Sequence, residues 1–176
     1  MDSLKFFDTV SWIFYLSCNA LAIFMIWISR TRPPLARMIL LLLFLFAAGF
    51  NAYTALNAPW NYQDFADSAT PFYKRFILGA FIPIITPMVL TIAVCQLLIA
   101  LAMTTRGQLF QVGCWAGIIF LIAIAPLGLY AAFPMPLLLA WAMLRLLRTD
   151  SGHAILFEDP KSVKLKNKHH ARHIPN

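Results

Sequence analysis

The chain has 176 residues, 61% of them hydrophobic and 12% charged, with a mean hydropathy of +0.73 and a formal net charge of +7. Water-soluble domains average about half apolar and about a quarter charged residues, so this composition excludes an ordinary soluble domain. Four stretches lack Asp, Glu, Lys, Arg and His; they are 21, 26, 30 and 38 residues long and cover 9–29, 38–63, 76–105 and 107–144. Because a bilayer core about 30 Å thick takes about 20 apolar residues of helix, they predict an all-α, polytopic transmembrane bundle.

The first half of the chain contains two predicted spans and a long connector. The first span covers about 9–29 and ends at a short basic hairpin with two adjacent prolines and three flanking arginines, Arg30, Arg32 and Arg37, the last of which opens the second span. The second covers about 36–56. It leads into residues 57–73, an aromatic and mildly acidic connector of the type that lies among lipid headgroups. We expect part of this connector to form a short interfacial helix.

The second half of the chain is harder to divide into spans. The third span, about 74–103, would be about 45 Å long as one helix, so we expect it to tilt, to bend at its two prolines or to begin outside the bilayer. Residues 107–144 are too long for one crossing and fit two, with a break near Pro126–Gly128. A break at 133–136 would leave a last span of about 15 residues. Five spans are therefore preferred, and four remain the alternative if residues 107–144 form one long bent helix.

Lys and Arg set the expected orientation and localisation. With five spans and the N-terminus outside, 11 cations lie inside and 3 outside; with four spans and the N-terminus inside, the split is 10 to 4. The short Arg-rich hairpin favours the first arrangement. We predict a multi-pass protein of a bacterial inner membrane, with residues 1–148 as the bundle and 149–176 as a disordered basic cytoplasmic tail. Because the cations adjoin apolar segments, they indicate contact with the bilayer and with anionic lipid headgroups, and not with nucleic acid.

The spans offer little chemistry. All four histidines lie in the tail, so the chain predicts no b-type haem and no metal site; the tail motif His169-His170-x-x-His173 has no carboxylate beside it. Proton relays use ionisable residues inside the membrane, and the spans have none. The three cysteines lie within apolar runs and predict no disulfide framework. We therefore predict a protein without its own catalytic centre and without a cofactor.

A few polar residues within and beside the spans form a candidate pocket. Interhelical hydrogen bonds explain such residues without any ligand. The functional alternative is a small polar pocket at the outer end of the bundle, where a proline-bent helix frees backbone groups for binding. Its candidate residues are Asn51, Thr54, Asn57, Thr86 and Gln96.

Small residues and prolines mark two candidate packing surfaces. Gly79, Pro83 and Pro87 recur every four residues along the third span, and the same stripe continues through Thr91 and Cys95. Gly113 and Gly117 form a G-x-x-x-G motif, which is typical of closely packed transmembrane helices. This motif predicts either packing within the chain or a homodimer contact.

From Gly49 onward, the order of features resembles the DoxX-like small membrane proteins of bacteria. The matching features are Pro59-x-x-Tyr62-x-x-Phe65-Ala66, then Ala93-Val-Cys-Gln96, a short Arg106-Gly107 turn, and Pro126 in the next span. The resemblance implies a four-helix inner-membrane protein, in some members linked to quinone-coupled oxidation. The family often has a glutamate in its third span; Gln96 takes that position here and cannot titrate.

Three functions follow as hypotheses. The first is a non-catalytic scaffold or accessory subunit that packs with a partner or with itself. The second, implied by the resemblance, is a membrane subunit of a quinone-linked oxidoreductase, with quinone as its cofactor. The third is a small-molecule or lipid carrier that uses the bend in the third span.

Overall fold

The computed structural model describes residues 9–149, with side chains from residue 11 onward. This part of the chain contains six α-helices and no strand: α1 Thr9–Thr31, α2 Pro33–Asn57, α3 Pro71–Ile77, α4 Ile85–Ala102, α5 Gly107–Ile124 and α6 Met135–Thr149. Short 3-10 helices cover Pro59–Asp67, Ile82–Ile84 and Ala125–Ala131. The predicted all-α bundle is confirmed. The predictions for the basic tail fall outside the described residues.

Helix length and composition identify four candidate membrane spans: Ser11–Thr31, Pro33–Asn57, Ile82–Ala102 and Gly107–Ala131. The fifth long helix, α6, has 15 residues and is therefore about 22 Å long, shorter than a hydrocarbon core of about 30 Å. It packs along both α1 and α5, so the chain reverses direction after residue 131 instead of continuing as one bent helix. Five crossings remain a prediction, with α6 as the short fifth helix.

The helices pack as a closed bundle in which α6 holds a central position. Helix α2 lies along α4, α4 contacts α5, and α6 fits between α1 and α5. The main core is apolar and contains Met25, Leu40, Phe44, Ile99, Phe110, Leu121, Met143 and Leu146 among its buried side chains. We use the term basic side for the end where α1 meets α2, α4 meets α5, and α6 ends.

The opposite end is covered by residues 59–77, which we call the aromatic cap. Tyr62, Phe65, Tyr73 and Phe76 of the cap pack around a second buried cluster with the end of α2 and the start of α4. The cap is tied to the segment between α5 and α6. The Ser68 hydroxyl donates a 2.7 Å hydrogen bond to the Leu127 carbonyl, and the Thr70 N–H donates a 3.0 Å bond to the Pro126 carbonyl.

Two element boundaries differ from the sequence expectation. The third apolar stretch is broken into α3, a turn, a 3-10 segment and α4. Pro83 lacks the N–H that a continuous helix needs, whereas Pro87 lies in the first turn of α4, where a missing N–H is tolerated. Helix α5 ends just before Pro126, as predicted. However, α6 begins at Met135, because Gly128 and Ala132 have φ of +76° and +54° and interrupt the helix between these points.

Candidate functional site: a polar seam between α2 and α4

The close contact between α2 and α4 forms a seam with polar residues at its centre. Alanines at positions 48 and 55 of α2 and 93 and 100 of α4 are buried, and their small side chains let the two helices approach closely. Asn51 and Gln96 face each other across this seam, and Gln96 is only 3% exposed. The two amides therefore lie between helices and bond to each other; on the outer surface of the bundle, lipid would offer them no hydrogen-bond partner.

A directed chain of hydrogen bonds connects the aromatic cap to the seam. The Tyr62 hydroxyl donates to Asn51 Oδ1 at 2.8 Å and lies 3.3 Å from the Asn51 carbonyl oxygen. Asn51 Nδ2 in turn donates to Gln96 Oε1 at 2.8 Å. Within the hydrogen bonds of the described residues, Gln96 takes part only as an acceptor. This series of hydrogen bonds contains no charged group. Gln96, at its end, has two amide N–H groups that can act as donors.

The remaining predicted pocket residues lie at different distances from this chain. Thr54 is buried and forms a hydrogen bond with Tyr62; burial raises the pKa of the Tyr62 phenol and this bond partly opposes the rise. Thr86 donates a 3.1 Å bond to the Ala55 carbonyl, which joins the start of α4 to the end of α2. Asn57 is exposed and donates to the Tyr53 carbonyl of its own helix. Asn51, Thr54 and Gln96 therefore share one network, whereas Thr86 and Asn57 have separate partners.

An open cleft of about 220 Å³ lies beside the seam, between the aromatic cap and the start of α4. Thr86 is the predicted pocket residue that lines it; Asn51 and Gln96 do not. Three prolines and an exposed tryptophan form half of its wall, which consists of Pro59, Trp60, Gln63, Ile82, Pro83, Ile85, Thr86 and Pro87. The polar seam and the cleft are therefore neighbouring features that share the proline-broken start of α4.

The G-x-x-x-G motif is buried inside the bundle. A Cβ added at Gly113 would lie 2.2 Å from the Ala102 Cβ, and one added at Gly117 would lie 2.5 Å from the Met143 methyl carbon. Both glycines therefore allow α5 to approach α4 and α6. The motif predicts either packing within the chain or a homodimer contact. In the structure, both glycines pack against helices of the same chain.

The stripe along α4 has the opposite placement. Gly79, Pro83, Pro87, Thr91 and Cys95 are all exposed, but only Pro87, Thr91 and Cys95 share a face of α4; Gly79 lies in the turn after α3 and Pro83 in the 3-10 segment. The Thr91 hydroxyl donates to the Pro87 carbonyl of its own helix at 2.8 Å. Within residues 9–149, no helix covers Thr91 or Cys95, whereas Pro83 and Pro87 line the cleft together with Pro59 and Trp60 of the aromatic cap.

Arg37 is an important residue that the sequence analysis treated as a flanking charge. It is only 1% exposed, and its Nε donates to the Met103 carbonyl at 2.9 Å while Nη2 donates to the Thr105 carbonyl. The guanidinium carbon lies 4.1 Å from the centre of the Phe110 ring. The negative end of the α4 dipole and the face of an aromatic ring therefore surround this buried charge. Its position one turn inside α2 is the signal that could have identified it.

A second polar contact joins α1 to the break before α6. The Tyr15 hydroxyl donates to the Phe133 carbonyl at 2.6 Å, and Asn19 Nδ2 donates to the carbonyls of Tyr15 and Ala132 at 3.0 and 3.2 Å. The Phe133 carbonyl lies in the break before α6, where the Tyr15 hydroxyl is its donor, whereas the Ala132 carbonyl also accepts the Met135 N–H at 2.9 Å. Asn19 Oδ1 is buried and has no hydrogen-bond partner.

The described residues contain no group of three or more His, Cys, Asp or Glu side chains that could hold a metal ion. The seam offers neutral hydrogen-bonding groups, and the surface offers apolar helix faces long enough to cross a membrane. This arrangement can position helices or bind a neutral ligand. No protein-family model, curated protein or solved structure matches the chain, so these features of its own structure are what bear on its function.

Proposed function

We propose that the chain is a scaffold or accessory subunit of a membrane complex and that its partner packs against the α4 stripe. The observation that supports this proposal is the contrast between the two small-residue surfaces. The G-x-x-x-G motif is filled by helices of the same chain, whereas the stripe from Gly79 to Cys95 is exposed. Small residues on a transmembrane helix let the backbone of a second helix approach closely, so this exposed surface favours packing by another helix.

The interior of the bundle supports a packing role. The polar side chains of α1 and α2 within the bundle donate mainly to backbone carbonyls or to each other, as Tyr15, Asn19 and Asn51 do. Such bonds stabilise the positions of helices, at about 0.6–2 kcal/mol each. Binding energy for a partner must then come from the outer faces of the bundle.

Enlarging the stripe tests this proposal. The double variant Thr91→Leu/Cys95→Leu fills the face, and Ala20→Leu on the exposed face of α1 is the matched control. We expect the double variant to reduce copurification of partner proteins in mild detergent by about tenfold, the cost of losing one close helix contact. Circular dichroism should show unchanged helix content. Equal copurification by the double variant and the control would contradict the α4 surface.

A second candidate function is binding of a neutral membrane-soluble ligand, either as a carrier or as a quinone-linked subunit. The series of hydrogen bonds from Tyr62 through Asn51 to Gln96 supports this function. The series ends at the amide N–H groups of Gln96, which can donate to a carbonyl oxygen of a ligand. The DoxX-like resemblance adds the quinone as a specific ligand.

Ligand binding can be measured on protein purified in native lipid. We expect Asn51→Leu to abolish retention of extracted quinone or lipid, whereas Asn57→Leu, whose amide bonds only to its own helix, should retain it. Wild-type protein that contains neither bound quinone nor an associated redox subunit would rule out the quinone-linked function.

We also propose that the basic side faces the cytoplasm of a bacterial inner membrane. Its exposed arginines at positions 30, 32, 106 and 148 support this orientation, and the tail cations would add contacts with anionic lipid. Single cysteines at positions 62, 106 and 133 test it by labelling with a membrane-impermeant maleimide. Labelling at 62 and 133 but not at 106 from outside the cell is expected; the reverse pattern would invert the orientation, and differing accessibility of 62 and 133 would contradict five spans.

A further inference from the structure

Arginines are concentrated at the basic side of the bundle, where the part of the chain that the structure describes has no carboxylate; its two carboxylates lie in the aromatic cap at the opposite end. The carbonyls of the α4–α5 turn bind Arg37. Within residues 9–149, however, the guanidiniums of Arg30, Arg145 and Arg148 have no hydrogen-bond or ion-pair partner. These three positive charges therefore lie where an anion from outside the bundle can bind them.

Two of these arginines lie at nearly the same level, because α1 and α6 run side by side. The Tyr15 hydroxyl and the Asn19 amide, near the start of α1, bond to the segment just before α6, and the two helices then pack along each other in the same direction. Arg30 lies 15 residues beyond Tyr15, and Arg148 lies 13 residues beyond the start of α6 at Met135. These separations are about 22 and about 20 Å along the two helices.

The contacts of α1 and α6 also place two of the arginines at one junction. Arg30 follows Asn19 by 11 residues, or three turns, so it continues the stripe of α1 that faces α6. On α6, the Met143 side chain packs against Gly117 of α5, and Arg145 lies about 200° round the helix from Met143, away from α5. Arg145 is nevertheless half-buried, and α1 packs along α6 on its other side. Arg30 and Arg145 therefore border the same α1–α6 junction.

The chemistry of this junction fits a phosphate that is attached to an apolar chain. A guanidinium presents its N–H groups in a planar fork that matches two phosphate oxygens, whereas an ammonium is a point charge. Lys and Arg serve equally in orienting a membrane protein, so orientation alone does not explain why the described part of this end has arginine and no lysine. Ile23 and Trp27 precede Arg30 by two turns and one turn and are 60% and 59% exposed, so an apolar surface leads up to the guanidinium.

We propose that the junction formed by Arg30, Arg145 and Arg148 binds one anionic phospholipid that carries two phosphodiester groups. Three guanidiniums neutralise two phosphates, whereas a single phosphodiester would leave most of their N–H donors without an acceptor. The apolar surface at Ile23 and Trp27 holds an acyl chain, which a free phosphate ion lacks. The site is separate from the α4 stripe and from the polar seam, and it lies in whichever leaflet the basic side faces. It therefore does not rest on the proposed function.

Lipid binding can be measured on the full chain by native mass spectrometry in mild detergent. The probes are cardiolipin, which has two phosphodiesters, and phosphatidylglycerol, which has one, at twice the concentration so that the total charge is equal. We expect one cardiolipin per chain and weaker binding of phosphatidylglycerol. Arg30→Gln/Arg145→Gln should raise the cardiolipin dissociation constant by at least about tenfold, because charge-assisted hydrogen bonds are lost. Lys74→Gln/Arg75→Gln removes two charges from the aromatic cap and, as the matched control, should bind like wild type.

The variant Arg30→Lys/Arg145→Lys separates the guanidinium from its charge. It should bind cardiolipin more weakly than wild type while its circular dichroism spectrum is unchanged, and it carries the test if the glutamine variant loses helix content. Equal binding by this variant and wild type would overturn the proposal, as would equal binding of the two lipids or an equal loss in the control. Displacement of cardiolipin by glycerol phosphate, which has no acyl chain, would assign the site to a soluble anion and would also overturn it.

Discussion

Replacing Arg37 should destabilise the bundle even though the change removes a buried charge. In Arg37→Leu, the carbonyls of Met103 and Thr105 lose a charged donor. Each unsatisfied buried carbonyl costs about 1–3 kcal/mol, and loss of the contact with the Phe110 ring costs up to about 2 kcal/mol more. The leucine avoids the cost of desolvating a guanidinium, which is several kcal/mol and offsets part of this loss. We expect a net loss of about 2–4 kcal/mol in the free energy of unfolding.

The measurement is unfolding of the purified protein by SDS titration in mixed micelles, followed by circular dichroism. Arg30→Leu is the matched control, because Arg30 is exposed on the same side and its replacement should change stability by no more than about 0.5 kcal/mol. Arg37→Lys retains the charge but loses the planar two-pronged geometry, so its stability should fall between that of Arg37→Leu and wild type.

A double-mutant cycle with Phe110→Leu separates the ring contact from the hydrogen bonds. We expect a coupling energy between Arg37 and Phe110 of about 1–2 kcal/mol. If Arg37→Leu is as stable as wild type or more stable, then the desolvation cost exceeds the contacts made by the guanidinium. In that case the role assigned to Arg37 as a stabilising link between α2 and the α4–α5 turn is wrong.

Three further predictions concern packing, backbone conformation and pH. Gly113→Ala should reduce the free energy of unfolding by about 1–3 kcal/mol, because the added methyl overlaps α4, whereas Gly49→Ala has open space and should not destabilise the same SDS transition. Gly128→Ala combines a positive φ with a 2.2 Å overlap with the aromatic cap, so proteolysis of the cap should accelerate; an unchanged cleavage rate would contradict the cap contact. Because burial raises the pKa of Tyr62, stability should be unaffected well below pH 10 and should fall as the pH rises above it; Tyr62→Phe should reduce that fall, and identical pH profiles would count against a buried phenol.

The arrangement of the helices could be predicted in large part from the absence of charge. Uninterrupted apolar stretches admit only helices in a membrane, and arginines and prolines marked the turn at residue 32. The start of α6 was misplaced because two positive φ values, one of them at Ala132, extend the break beyond Pro126. Alanine is uncommon in that conformation, so its sequence gives no signal of the interruption.

The candidate site was predicted less completely, because single sequences reveal residue types but not their partners. Asn51 and Gln96 were selected as polar residues in spans, and their bond across the seam depends on the register of α2 against α4. Tyr62 was assigned to the headgroup layer, although its hydroxyl extends into the seam. Arg37 was assigned to the membrane boundary, since the carbonyls that surround it belong to a turn 66 residues later in the chain.

The hydrogen bonds between the aromatic cap and the segment before α6 impose an order on biosynthesis. The acceptor for the Ser68 hydroxyl lies 59 residues further along the chain, and Gly128 must also be in place before the cap can seat. While the ribosome is still synthesising α5, the cap can pack on α2 and α4 but lacks the part of its docking surface that follows residue 125. The Ser68 hydroxyl and the Thr70 N–H can then be satisfied only by water and headgroups. Closure of this end of the bundle is consequently one of the last steps of folding, and a translation arrest before residue 125 would leave an inserted but open intermediate accessible to membrane proteases.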